Sequence, residues 1–316
     1  MKIDGSRILV TGAAGFIGSQ LTEKLVRLGA TVTAVDNLQT GRIENLNDCL
    51  SDIEFIELDI RDFEGVQRHG RHRDAIVNLA ANASVPKSID SPKADFDINA
   101  GGMVSILETA RLCGIRHVVQ ASSAAVYGLP EYLPIDEKHP LRPVSPYGAS
   151  KLSAEILGNT FEATYHQTFS PLRIFNAYGG RQRKHVIYDL LSQIPAPQRT
   201  IRMMGHRDHI RDFIHVDDVT NSFIALIEHL DNSGIVCNSG TGRPTRISEL
   251  VEIALRSSGI SDHRVEFTNR SWPGDVPSLL SDTSRMNGIL GINAGTTIEK
   301  GIAALVNDRQ KFTTVT

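Results

Sequence analysis

Cysteine is scarce in this chain, and the few present do not form a framework. Cys49, Cys113 and Cys237 are odd in number and far apart, which reads as reduced, buried thiols. Long apolar runs are missing as well: none approaches the roughly 20 residues of a membrane span, so no membrane partner is expected. Neither sign of charge dominates, and a net charge of −3 provides no global attraction to nucleic acid or to a lipid surface. The one basic run, Arg68-His69-Gly70-Arg71-His72-Arg73, has no interleaved aromatics and reads as a solvated turn. His206 and His209 lack a nearby cysteine or a second ligand pair, so no metal is expected. No nucleophile elbow surrounds Ser123, which argues against acyl transfer. Repeats and low-complexity tracts are absent. The first residues, Met1-Lys2-Ile3-Asp4-Gly5, show no signal-peptide pattern, so the expected location is cytoplasmic.

What is present is an ordinary globular composition, 41% hydrophobic and 22% charged over 316 residues. That length accommodates one large α/β unit and a smaller second one. Short apolar runs suited to buried parallel strands occur at Arg7 to Thr11, Thr31 to Val35, Ile53 to Glu57, Ala75 to Leu79 and His117 to Ala121. Amphipathic stretches separate them, and a long helix is expected from Pro92 to about Cys113, with Gly114 closing it. This alternation predicts a doubly wound parallel sheet of Rossmann type. After Ile174 the alternation loosens, consistent with a smaller C-terminal α/β substrate domain. The expected division is residues 1–172, with returning segments near 212–240, for the first domain and 173–316 for the second.

The first strand runs into Gly12-Ala13-Ala14-Gly15-Phe16-Ile17-Gly18 and then a helix. Glycines at this spacing permit a tight turn and close backbone approach to a pyrophosphate at the helix N-terminus. The second strand ends at Asp36, whose carboxylate suits both ribose hydroxyls and repels a 2′-phosphate, favouring NAD. The nearest phosphate partner for NADP is Arg42. Asn37, Leu38, Gly41, Asp59, Ile60, Leu79, Ala80, Ala81, Asn99, Ala121 and Ile174 complete the expected cofactor site.

Ser145-Pro146-Tyr147-Gly148-Ala149-Ser150-Lys151 carries the chemistry. Ser145 is suited to an N-cap and Pro146 to the first helical position. Tyr147 and Lys151 then share one face, and the lysine and the helix dipole are expected to favour the phenolate. That makes Tyr147 a candidate acid/base.

With these pieces in order, the chain resembles the extended short-chain dehydrogenase/reductases, and most of all the NAD-dependent epimerase/dehydratase family of nucleotide-sugar enzymes. The segments that carry the resemblance are Thr11 to Gly18, Val35 to Leu38, Leu79 to Pro86, Ser122 to Gly128, Tyr147 to Lys151, Arg173 to Gly179, Arg211 to Val219 and Pro273 to Asp275. The resemblance implies a catalytic trio of Ser123, Tyr147 and Lys151. Tyr147 would take the proton of the sugar's 4-hydroxyl while bound NAD accepts the hydride from carbon 4. Ser123 would hydrogen-bond the same oxygen, and Lys151 would tune Tyr147 and hold the nicotinamide ribose. Ser84, Val85, Asn176, Arg181, His185, Val186, Arg211, Arg270 and Asp275 are the substrate-binding candidates, with a UDP-sugar as the expected substrate. A homodimer through helices near 93–113 and 146–165 is also implied.

Family dehydratases place Asp-Glu directly after the serine or threonine. Here those positions are Ala124 and Ala125, which resembles the epimerase pattern. The leading expectation is therefore a 4-epimerase, with an NDP-hexosamine dehydratase as the alternative. A non-catalytic NAD-binding sensor is the remote alternative, and it would be expected to lack Tyr147 or Lys151. Trp272 stands where the family has an arginine before Pro-Gly-Asp, and Arg270 is the nearest substitute. Leu279 lies where UDP-galactose 4-epimerases carry a gatekeeper, and a side chain smaller than tyrosine leaves room for a 2-acetamido group.

Overall fold

The computed structural model describes residues 1–194, 200–229, 234–260 and 263–313. Pro195-Ala196-Pro197, a sequence suited to ending a helix, lies outside these. The chain opens with β1 (Arg7–Thr11), α1 (Phe16–Arg27), β2 (Thr31–Asp36), β3 (Ile53–Glu57), α2 (Phe63–Gly70) and β4 (Ala75–Asn78). Two short helices, α3 (Val85–Asp90) and α4 (Pro92–Phe96), lead into α5 (Gly102–Cys113), followed by β5 (His117–Ser123) and α6 (Pro146–Tyr165). β6 (Thr168–Ile174), β7 (Asn176–Tyr178), α7 (Val186–Gln193), β8 (Thr200–Met203) and β9 (Ile210–His215) come next. The chain continues through α8 (Val216–Glu228), β10 (Cys237–Ser239), β11 (Pro244–Arg246), α9 (Ile247–Ser257), β12 (Arg264–Phe267), α10 (Ser284–Leu290) and α11 (Ile298–Thr313).

Seven strands form one sheet in the order β10-β6-β5-β4-β1-β2-β3, and every pairing in it is parallel. Such strands are apolar throughout because both faces are covered. Ile8 and Val10 of β1 face one side, with Leu21 and Leu25 of α1 and Phe223 of α8. Leu9 faces the other, with Val66 of α2 and Met103, Ile106 and Ala110 of α5. The strand order reverses between β1 and β4, and in such sheets ligands bind at the carboxyl ends beside that reversal. The architecture is the expected Rossmann-type doubly wound sheet.

The smaller C-terminal α/β part has its own apolar core. Ile187, Leu190 and Leu191 of α7 meet Ile201 and Met203 of β8, Leu250 and Val251 of α9 and Ile302 of α11. Its strands are arranged as β11-β9-β7 and β12-β8.

Two details modify the sequence reading. The expected helix from Pro92 to Cys113 is interrupted by a π-helical segment, Asp97–Gly101. β5 runs two residues beyond the expected His117 to Ala121, through Ser122 and Ser123, with Ser123 paired in register with Ile174.

Candidate active site

The carboxyl ends of β1 and β2 form a groove suited to a dinucleotide. Gly12 has φ +67°, and a Cβ there would lie 2.7 Å from the Ala80 nitrogen. A side chain at this position is therefore excluded both by backbone strain and by the chain after β4. Gly15 stands immediately before Phe16 and Ile17, the first residues of α1. The Asp36 carboxylate accepts from the Ala14 and Leu38 amides at 2.9 and 2.8 Å, and Gly41 lies directly against it. With one bond on each oxygen, a carboxylate retains acceptor capacity for two hydroxyls. A side-chain-free cradle with an acid beside it fits a dinucleotide. Asn37 donates to Asp59 at 2.8 Å. Arg61 holds that carboxylate well below its ordinary range, mainly through a side-chain hydrogen bond. Ile60 is buried. Leu79, Ala80 and Ala81 line the end of β4 and are half-buried.

Asn99 is occupied from behind this groove. Its side chain accepts from the Asn82 amide at 2.9 Å and donates to Ser150 Oγ at 2.9 Å. Ser150 in turn donates to Asp95 at 2.6 Å, and the Asp95 carboxylate also accepts from the Asn82 side chain at 2.8 Å. This buried network ties the loop after β4 to α6. Asp95, Asn82 and Ser150 were not among the sequence candidates. The i, i+4 spacing of Asp95 and Asn99 was the available signal, but only the fold reveals Ser150 as their shared partner.

On α6 the N-cap is as expected: the Gly148 amide donates to Ser145 Oγ at 3.1 Å, with Pro146 as the first helical residue. The Tyr147 amide donates to Ser88 Oγ of α3 at 3.1 Å. The Tyr147 side chain reaches Ser123 across from the end of β5. Lys151 Nζ lies 6.0 Å from the centroid of the Tyr147 ring and donates to the Ala121 carbonyl at 3.0 Å. The three residues therefore converge. Burial pushes the Tyr147 phenol up to about 12, with the Ser123 hydrogen bond opposing and the Asp95 charge adding to the rise. Burial brings Lys151 down to about 8, against the charges of Asp95 and Glu155. The phenolate expected from the helix dipole and the lysine is thus outweighed by desolvation.

Below the trio, Glu155 accepts from Ser122 Oγ at 2.5 Å and forms a buried ion pair with Arg173 at 2.7 Å. Arg173 also donates to the Tyr127 hydroxyl at 3.1 Å. These contacts fix the end of β5 relative to α6 and β6. Ala124 and Ala125 follow Ser123 in a short 3-10 turn. Leu279 packs with Ala124 and Phe175.

The opposite wall combines the start of α3 with residues of the C-terminal part. Ser84 caps α3 and Val85 is its first residue. Asn176 Oδ1 is buried without a partner among the described residues, an arrangement that calls for a ligand donor. His185 precedes Val186 at the start of α7 and has φ +76°. Loss of water in the cleft, together with Lys184, pushes its imidazole down to about 4. Arg211 donates to Asp275 at 2.8 Å, with His209 3.4 Å from the other carboxylate oxygen. The turn carrying Asp275 lies against the residues leading into α6, since a Cβ on Gly274 would sit 2.5 Å from the Val144 carbonyl. Arg270 is exposed, and its backbone amide is tied to Thr268. Arg181 departs from the rest: its guanidinium turns to α1, donating to Ser19 at 3.2 Å and pairing with Glu23. Glu23 is nearly buried and lies 158 residues away in sequence, so no local pattern could have announced the pair.

Comparisons with known proteins find nucleotide-sugar epimerases and dehydratases. A family model described as GDP-mannose 4,6 dehydratase matches residues 9–305. A UDP-glucose 4-epimerase of Mycolicibacterium smegmatis is 34% identical over 307 residues, covering 95% of this chain and 97% of that protein. The structure of a UDP-N-acetylglucosamine 4-epimerase from Methanobrevibacter ruminantium, in complex with UDP-N-acetylmuramic acid, superposes with a TM-score of 0.90 at 29% identity, over 98% of this chain and 99% of that one. A dTDP-glucose 4,6-dehydratase from Streptomyces venezuelae superposes equally well, with a TM-score of 0.90 at 27% identity, over 96% of this chain and 97% of that one.

Proposed function

Because the chain belongs to the NAD-dependent epimerase/dehydratase family of nucleotide-sugar enzymes, we propose that it is a UDP-sugar 4-epimerase acting through a transient 4-keto sugar. The observation that carries the reading is the meeting of Ser123, Tyr147 and Lys151 at the end of β5, with alanines at 124 and 125 in place of an acid pair. Bound NAD supplies the oxidant for carbon 4. Tyr147 takes the proton of the 4-hydroxyl, and Ser123 hydrogen-bonds the same oxygen and holds it in place. Lys151, anchored on Ala121, places positive charge beside the phenol and lowers the cost of its ionisation. Once the ketone has turned within the cleft, so that carbon 4 would receive the hydride back on its other face, Tyr147 returns its proton to the 4-oxygen.

In this reading Gly12, Gly15, Phe16, Ile17 and Asp36 hold the cofactor, and Asn176, His185, Val186, Arg211, Arg270 and Asp275 receive the nucleotide-sugar. Arg181 is removed from the substrate set, since its side chain is committed to α1. Residues 1–172 with 212–240 form the NAD domain and 173–316 the sugar-nucleotide domain. The location is cytoplasmic. Leu279 beside Ala124 supports acceptance of N-acetylhexosamines, because a leucine leaves more room than a tyrosine.

The test is incubation of the purified protein with UDP-glucose and UDP-N-acetylglucosamine. The expected product has unchanged mass and the inverted 4-hydroxyl by NMR. Loss of one water would overturn the epimerase reading in favour of elimination.

A further inference from the structure

The segment between Gly179 and Val186 is tied down at both ends. At its start, Gln20 Nε2 donates to the Gly180 carbonyl at 3.1 Å. Arg181 follows with its bonds to Ser19 and Glu23, so all three partners lie on α1, Ser19 and Gln20 in its N-terminal half. At its far end, Lys184 Nζ donates to the Ala83 carbonyl at 3.0 Å, in the loop after β4. Those two anchoring elements are the rims of the groove whose floor is the Gly12–Ala80 contact. Arg181 and His185 have φ +66° and +76°, bends that residues with side chains rarely adopt unless surrounding contacts hold them. The Lys184 ammonium is bonded to a carbonyl oxygen rather than to a carboxylate. The nearby Lys87 ammonium adds like charge beside it, so an anion at this place would be favoured.

We propose that residues 180–184 form a strap across the dinucleotide groove and that Lys184 is a cofactor-retaining residue, its ammonium serving the diphosphate of bound NAD. The strap has to release one end before NAD leaves, whereas a sugar-nucleotide entering from the C-terminal side does not require it to. This rests on the NAD-binding part of the proposed function and is independent of which sugar is converted.

The experiment follows NAD release from the purified, NAD-loaded protein against an excess of a fluorescent etheno-NAD, without any sugar. Lys184→Ala is expected to raise the release rate about tenfold, the worth of one charge-assisted bond. Lys184 is exposed, so this change leaves the core intact. Arg181→Ala, combined with Glu23→Gln so that no carboxylate is left buried and unpaired, is expected to do the same. All three changes together release NAD no faster than the faster of the two variants, because a strap free at one end is already open. Arg183→Ala, on the same segment and exposed, leaves the rate unchanged. A wild-type release rate in Lys184→Ala, or fully multiplicative effects of the two ends, overturns the strap. Unchanged release with a raised KM for the UDP-sugar would assign Lys184 to the substrate instead. If no UDP-sugar is converted at all, the proposed function fails while the release rates still report on the strap.

Discussion

Burial acts on the two central side chains in opposite directions. In the NAD-free chain it pushes the Tyr147 phenol up to about 12, so the phenolate that takes the 4-hydroxyl proton needs the positive charge that a bound nicotinamide would bring. Burial also brings Lys151 down from an ordinary 10.5 to about 8. Below about pH 8 Lys151 is charged in both folded and unfolded chains, so the folded state carries the full cost of burying it. Between pH 8 and 10.5 the folded chain gives up that proton first, and the cost fades as pH rises. Lys151→Met is therefore expected to stabilise the NAD-free protein by about 2 kcal/mol at pH 7 while removing activity. The gain should shrink steadily above pH 8 in urea unfolding series; a gain that does not change with pH contradicts the assignment. The Tyr-x-x-x-Lys spacing and the Ser145 cap were legible in the sequence because they are local. The direction of the Tyr147 shift was not, since it depends on β5 and Asp95 closing over the ring.

At the scale of elements, the glycine turn between β1 and α1 decides whether the groove exists. Its conformation follows from a contact with Ala80, 68 residues further along, and from a positive φ. Gly12→Ala is expected to weaken NAD binding at least tenfold, the equivalent of about 1–2 kcal/mol of left-handed strain. NAD content after gel filtration and a fluorescence titration check this; normal NAD content would show that the cradle tolerates a Cβ. The strands of the large sheet could be located from their apolar runs because both faces are covered. The small sheets were harder to see, since β7 and β11 have only three residues each. The π-helical segment at Asp97–Gly101 also escaped the sequence reading. It places Asn99 against Asn82 and Ser150, partners brought there by other elements.

For the whole molecule, the end of α4 together with α5 and α6 exposes large apolar side chains. Phe96 is 51% exposed, Val104 43%, Ile156 56% and Tyr165 47%. A homodimer through these helices, as the family resemblance implies, would cover side chains of this size. Ile156→Glu is expected to convert a dimer to a monomer in analytical ultracentrifugation, with little change in the unfolding transition of the monomer. A sedimentation coefficient that does not change would place the interface elsewhere. The two halves are also joined through Arg181 and α1, a link at the cofactor groove rather than in the apolar cores.

The most direct measurement uses UDP-sugars carrying deuterium at carbon 4, incubated with the NAD-loaded protein in ordinary water. The predicted product is the 4-epimer, of unchanged mass and with the deuterium still on carbon 4. A product lighter by one water, or an epimer whose label has washed out to solvent, would contradict oxidation and return at carbon 4 by the Ser123, Tyr147 and Lys151 site.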